Sequence, residues 1–103
     1  MNIVIFVTAK DEVEAKNISK ELVRQKLVAC ANIVSNVQSI FWWEGKVDES
    51  AETLLILKTK KNLFKKVEKA VKKLHSYKVP EVIAMPIVEG SKDYLRWVND
   101  SVR

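Results

Sequence analysis

Between Cys30 and Thr59 the chain reads as one very long β-hairpin, and few small folds can accommodate it. "CANIVSNVQSIFWW" (Cys30 to Trp43) is rich in β-branched and aromatic residues, as strands are. Glu44-Gly45 follows as a two-residue turn, with Gly supplying a positive φ. "KVDESAETLLILKT" (Lys46 to Thr59) returns. Each arm is about 14 residues, roughly 45 Å at the strand rise, far beyond the usual 5–6 residues. Alternation slips near Val34-Ser35-Asn36, which predicts a bulge or bend. At the far end Phe41, Trp42 and Trp43 stand in a row, and side chains alternate across a strand, so these rings cannot all face one core.

The flanking segments complete a pattern. "NIVIFVT" (Asn2 to Thr8) is a continuous apolar run, expected of a buried strand. "AKDEVEAKNISKELVRQKL" keeps helical spacing at Ala15, Ile18 and Leu22, and Asp11 with Glu14 resembles a capping box. Asn62 to His75 is a second helix. Leu63, Val67, Ala70, Val71 and Leu74 form its apolar stripe, and Lys65, Lys66, Lys69, Lys72 and Lys73 lie opposite. "VPEVIAMPIV" (Val79 to Val88) is a strand that Pro86 confines to an edge or ends. Gly90-Ser91 stops it and caps a last helix, Lys92 to Val102, with Tyr94, Leu95, Val98 and Val102 facing inward.

The order is β-α-β-β-α-β plus a terminal helix. The fold class is therefore α+β: a ferredoxin-like antiparallel sheet with helices on one face, in a single domain over residues 1–103. The other sheet face and the hairpin then lack a cover, and the simplest cover is another copy of the chain. Phe41, Trp42 and Trp43 are accordingly expected at a subunit interface. The competing reading is a hairpin folded back on its own subunit.

Charge and composition narrow the function classes. Net charge is +5, but nine of the fifteen lysines fall between Lys58 and Lys78 while Glu44, Asp48, Glu49 and Glu52 crowd the hairpin. Segregated charge suits an assembly with complementary faces better than a nucleic-acid track. "AETLLILKT" also lacks the aromatics of an RNA-binding third strand, so no nucleic-acid partner is expected. No run is long and apolar enough for a membrane helix, and no membrane partner is expected. The lone Cys30 cannot form an internal disulfide, which points to a reducing, cytoplasmic setting. The only glycines are Gly45 and Gly90, so no phosphate loop exists, and no nucleophile sits in a recognisable elbow. An enzyme is not expected, nor is an organic cofactor.

"LVACANI", "WWEGKV", "LLILKT", "HSYKVPEVIAMPIV" and "DYLRWV" occur in an order and spacing that resemble the CutA divalent-cation tolerance family over essentially the whole chain. The resemblance implies a tight trimer, kinship in shape with trimeric PII signalling proteins, and an association with copper tolerance. It also implies metal ligation near His75. Some members carry a second His just before it and a Cys in the first strand; here those positions are Leu74 and Val7.

The candidate ligands of a copper(II) or other divalent ion, weakly held, are thus His75 and Cys30. The bland alternatives are a histidine on the carbonyls of a helix C-terminus and a buried thiol acting as a small hydrophobe. Met85 is a further soft candidate, with core packing as its alternative. Lys58 ends an apolar strand and wants a carboxylate, for which Glu81 is the candidate. With Tyr77 and Tyr94 these resemble a polar cluster that the family places near its subunit interfaces. The expected cleft between subunits is lined by Lys58, His75, Tyr77, Glu81, Tyr94 and Trp43. The expected function is a trimeric divalent-metal-binding protein, chiefly for copper. The alternative is a PII-like regulatory or scaffold trimer in which metal is incidental.

Overall fold

The computed structural model describes all residues, Met1–Arg103. The elements are β1 (Asn2–Ala9), α1 (Glu12–Arg24), β2 (Cys30–Trp43), β3 (Lys46–Lys60), a single 3-10 turn (Lys61–Leu63), α2 (Phe64–Leu74), β4 (Val82–Pro86) and α3 (Lys92–Ser101). The strands form one sheet in the order β2-β3-β1-β4, and every pairing is antiparallel. This is the expected ferredoxin-like arrangement.

Period-two alternation decides what the sheet buries. Ile3, Ile5, Val7 and Ala9 on β1 and Leu55 and Leu57 on β3 point to one face, where they pack with Ala15, Ile18 and Leu22 of α1 and Val67 and Val71 of α2. Thr59 belongs to the same buried row, and its hydroxyl donates to the Leu27 carbonyl at 2.6 Å. The opposite face carries Val4, Phe6, Leu54, Ile56, Ile83 and Met85. Ile83 and Met85 are 54% and 57% exposed. α3 makes its main contacts with β3 and β1, and there Val98 and Val102 become buried apart from the main core.

The caps are local and form as expected. The Asp11 carboxylate accepts the Glu14 backbone N–H at 2.8 Å, and Glu14 reaches back to the Lys10 N–H rather than to that of Asp11. The Ser91 hydroxyl accepts the Tyr94 N–H at 3.3 Å. In the hairpin, Glu44 and Gly45 both take positive φ, 51° and 79°, the conformation a tight two-residue turn requires. The register breaks between Val34 and Val37, with Asn36 at φ 62°. Here the Ser35 hydroxyl donates to Glu12 at 2.5 Å, tying the bulge to the start of α1.

The bulge also sorts the aromatics. Below it, Ala31 and Ile33 share the helix side; above it, Phe41 and Trp43 pair with Asp48 and Lys46 on the open-face side, while Trp42 and Ile40 take the other side. The hairpin extends rather than folding back, giving a molecule 44 × 25 × 23 Å in extent. Trp42 is 74% exposed and Trp43 51%.

Several boundaries and orientations differ from expectation. β4 is shorter than Val79–Val88 because Pro80 has no N–H, and the Ile87 N–H turns to the Asn2 carbonyl beyond the paired residues. α2 begins only after the 3-10 turn, and Leu74 lies exposed at its end. Tyr94 faces outward rather than inward, 42% exposed, with its ring tilted against Trp97 at 5.5 Å.

Candidate functional site

Two groups of polar residues occupy opposite ends of the sheet. The first lies where β1 ends and the hairpin continues alone. α2 stops at Leu74, and His75 leaves in an extended conformation while its N–H still bonds the Val71 carbonyl. Its side chain has no exposed surface. Nε2 lies 2.7 Å from the Thr8 carbonyl, and Nδ1 accepts the Tyr77 backbone N–H at 3.0 Å. An Nδ1 that accepts carries no proton, so Nε2 is the donor to Thr8. The ring therefore bonds β1, not the carbonyls of its own helix, and both nitrogens are engaged.

Glu14 holds this corner together. Its carboxylate accepts from the Lys10 and Ser76 N–H groups, at 3.1 and 3.0 Å, and lies 3.7 Å from His75 Nδ1. Burial pushes its carboxyl up, but hydrogen bonds from Ser76 and Lys10 outweigh burial and hold it below the ordinary range. The Tyr77 ring tilts over His75 at 4.7 Å, and its hydroxyl donates to Glu52 at 2.8 Å. Burial, then the Glu52 carboxylate, push the Tyr77 phenol up to about 12. Burial and the same Glu52 charge raise the Glu81 carboxyl. Two carboxylates thus share the space beside one phenol.

The second group lies at the other end of the open face. Cys30 pairs with Lys58, and Lys58 pairs with Val4. The Lys58 ammonium donates to the Asn32 side-chain oxygen, and the Tyr94 hydroxyl lies against the Cys30 thiol. Burial first, and then this thiol, raise the Tyr94 phenol. The expected Lys58–Glu81 pair does not form within the chain: Glu81 stands beside Val82, which pairs with Val7, so Lys58 and Glu81 lie at different ends. Likewise Cys30 at the Val4 level and His75 at the Thr8 level are separated by roughly 13 Å along the strand direction alone, with β3 between them across the sheet. Trp43 is farther still, at the hairpin tip. No three of the His, Cys, Asp and Glu side chains converge on one point.

The profile of the CutA1 divalent ion tolerance protein matches residues 3–101. The chain belongs to this family. It is 44% identical to the divalent-cation tolerance protein CutA of Thermus thermophilus over 101 residues, 98% of each. It is also 44% identical to a chloroplastic CutA 1 protein of Oryza sativa, of whose length it spans only 58%. A solved CutA1 structure from Thermus thermophilus superposes with a TM-score of 0.98 over all of both chains at 43% identity. The CutA structure from Archaeoglobus fulgidus, described as periplasmic, gives 0.97 at 41% identity over all of both chains.

Sequence reasoning cast Glu14 only as a cap and Glu52 only as hairpin charge. In this CutA1-family chain they are the partners of His75 and Tyr77. Their separation along the chain leaves no local signal; only sheet closure brings them together. No helix is long and apolar enough to cross a membrane.

Proposed function

We propose that this chain serves divalent-metal tolerance as a homotrimeric, cytoplasmic metal-binding protein that prefers copper(II), holds it weakly and catalyses no reaction. Family membership supports the metal. The observation that carries the reading is the separation of the candidate ligands within one chain: Cys30 lies on the open sheet face at the Val4 level, whereas His75 lies buried at the Thr8 end of β1, and no three such side chains converge. A neighbouring copy on that face can set the Cys30, Lys58 and Tyr94 of one subunit against the His75, Tyr77 and Glu81 of another. Burial first, and then the Glu52 charge, raise the Glu81 carboxyl, and a cation placed beside the two carboxylates would offset both. His75 would join it only by surrendering the Tyr77 N–H from Nδ1, which accounts for weak binding. Imidazole with carboxylate favours copper(II) among the divalent ions. The half-buried, unpaired Cys30 suits a reducing compartment.

A regulatory or scaffold role of the PII type is the second reading. It is favoured by Lys65, Lys66, Lys69 and Lys73, which stand exposed on α2 without an ion-pair partner while Lys72 alone meets Glu68.

Native mass spectrometry of the metal-free protein, titrated with copper(II) and then zinc(II), tests both. The expected result is a trimer that takes up copper in a fixed ratio and loses it in Glu81→Gln and in His75→Ala. Glu81→Gln should remain at least as stable at neutral pH, since the folded site disfavours the charge it removes. A trimer that stays bare would assign the protein to the second reading.

A further inference from the structure

We propose that the groove between α1 and β2 binds a small, soluble phosphate monoester that carries an apolar body. The groove is a shallow surface depression, widely open to solvent, of about 610 Å³, lined by Lys16, Ser19, Lys20, Val23 and Arg24 of α1 with Ala31 and Ile33 of β2. That size falls within the range of small-molecule sites, about 300–1,000 Å³. It shares no residue with either polar group described above, so its fate is independent of the metal reading.

Three features separate it from an ordinary solvated helix face. First, the lining contains three cationic side chains and no carboxylate. Arg24 is held by Glu21 at 2.5 Å, but neither Lys16 nor Lys20 takes part in an ion pair. Lysines at this helical spacing lie on one face, so both ammonium groups can close on one anion. Second, the Ser19 hydroxyl is buried and has no hydrogen-bond partner. A serine inside a helix commonly returns its hydroxyl to the carbonyl one turn back; here that bond is absent. Rotation about χ1 turns the hydroxyl into the groove as a donor. Third, the floor is apolar: Ala31 and Ile33 are half-buried and packed on the main core, and Val23 is 42% exposed beside them.

A phosphate monoester matches all three. Its charge, about −1.5 to −2 at neutral pH, suits two ammonium groups, and its three acceptor oxygens suit a free hydroxyl. Its organic body would cover Val23, Ala31 and Ile33.

The test follows backbone amide shifts of the full chain, in its native assembly, during titration with hexyl phosphate. Inorganic phosphate and hexyl glucoside serve as head-only and tail-only controls. Hexyl phosphate should saturate and move the amides of Lys16 to Arg24 and Ala31 to Ile33, with each control at least about tenfold weaker. Lys16→Gln combined with Lys20→Gln should weaken binding about tenfold, and added salt should weaken it further. Ser19→Ala should weaken binding while raising the melting temperature, because it removes an unsatisfied buried group. Inorganic phosphate binding as tightly as the ester would overturn the proposal. So would shifts confined to the α2 lysines, or unchanged affinity in the folded double variant.

Discussion

A histidine ring with no exposed surface must find partners for both nitrogens, and His75 does so by closing a long loop of chain onto Thr8 and Tyr77. Tyr77 in turn spans from that ring to Glu52, and its pH behaviour reports the arrangement. A tyrosine in an unfolded chain titrates near about 10, whereas burial and Glu52 push Tyr77 up to about 12. The folded chain thus holds this proton more tightly than the unfolded one. The stability that this provides is fully present below about pH 10 and is lost as pH rises toward about 12. Tyr77→Phe should flatten that alkaline loss, and melting temperatures measured across the window would check it. A loss of the same size in the variant would show that Tyr77 is not its source. The grouping of His75, Tyr77 and Glu81 was legible beforehand; the bonds that hold it were not. The motif around His75 marked the place, but the partners Glu14 and Glu52 carry signatures of other roles, a cap and a surface charge.

At the scale of elements the sequence speaks more clearly, because turns, caps and bulges are local events. The Asp11 and Ser91 caps, the Glu44-Gly45 turn and the break after Val34 all form where local residues require them. What escaped prediction depended on neighbours in space. β4 stops at Pro86, after which the Ile87 N–H still reaches the Asn2 carbonyl, and Tyr94 lies 42% exposed with its ring against Trp97 and its hydroxyl at the Cys30 thiol. Gly45 sits exposed in the hairpin turn at positive φ. A Cβ there meets nothing within 4 Å, so the cost of Gly45→Ala is purely backbone strain at φ +79°. A loss of about 1 kcal/mol is expected in chemical denaturation. A loss several times larger would mean that the turn makes contacts beyond its own strands.

For the whole molecule the decisive fact is asymmetry between the two sheet faces. One buries a core under α1 and α2; the other leaves Ile83 and Met85 exposed and Val4, Phe6, Leu54 and Ile56 half-buried, with only α3 across part of it. Exposed apolar surface of this extent on a small chain marks an interface. The hairpin rings add to it. Introducing charge there with Ile83→Lys and Met85→Lys should therefore break the proposed trimer into smaller species in sedimentation velocity. The circular dichroism of the chain should be retained, since neither side chain belongs to the main core. An intact trimer would put the interface elsewhere.

The bulge between Val34 and Val37 gives the hairpin a reading frame. β3 runs without interruption, so the side on which each residue of β2 is presented depends on one extra residue near Asn36. Removing a single residue there would act on this strand as a frameshift acts on a message. Either Phe41 and Trp43 exchange sides with Trp42, or Ala31 and Ile33 leave the core. Substitutions along the hairpin arms can be absorbed one at a time; a change in length at this point cannot.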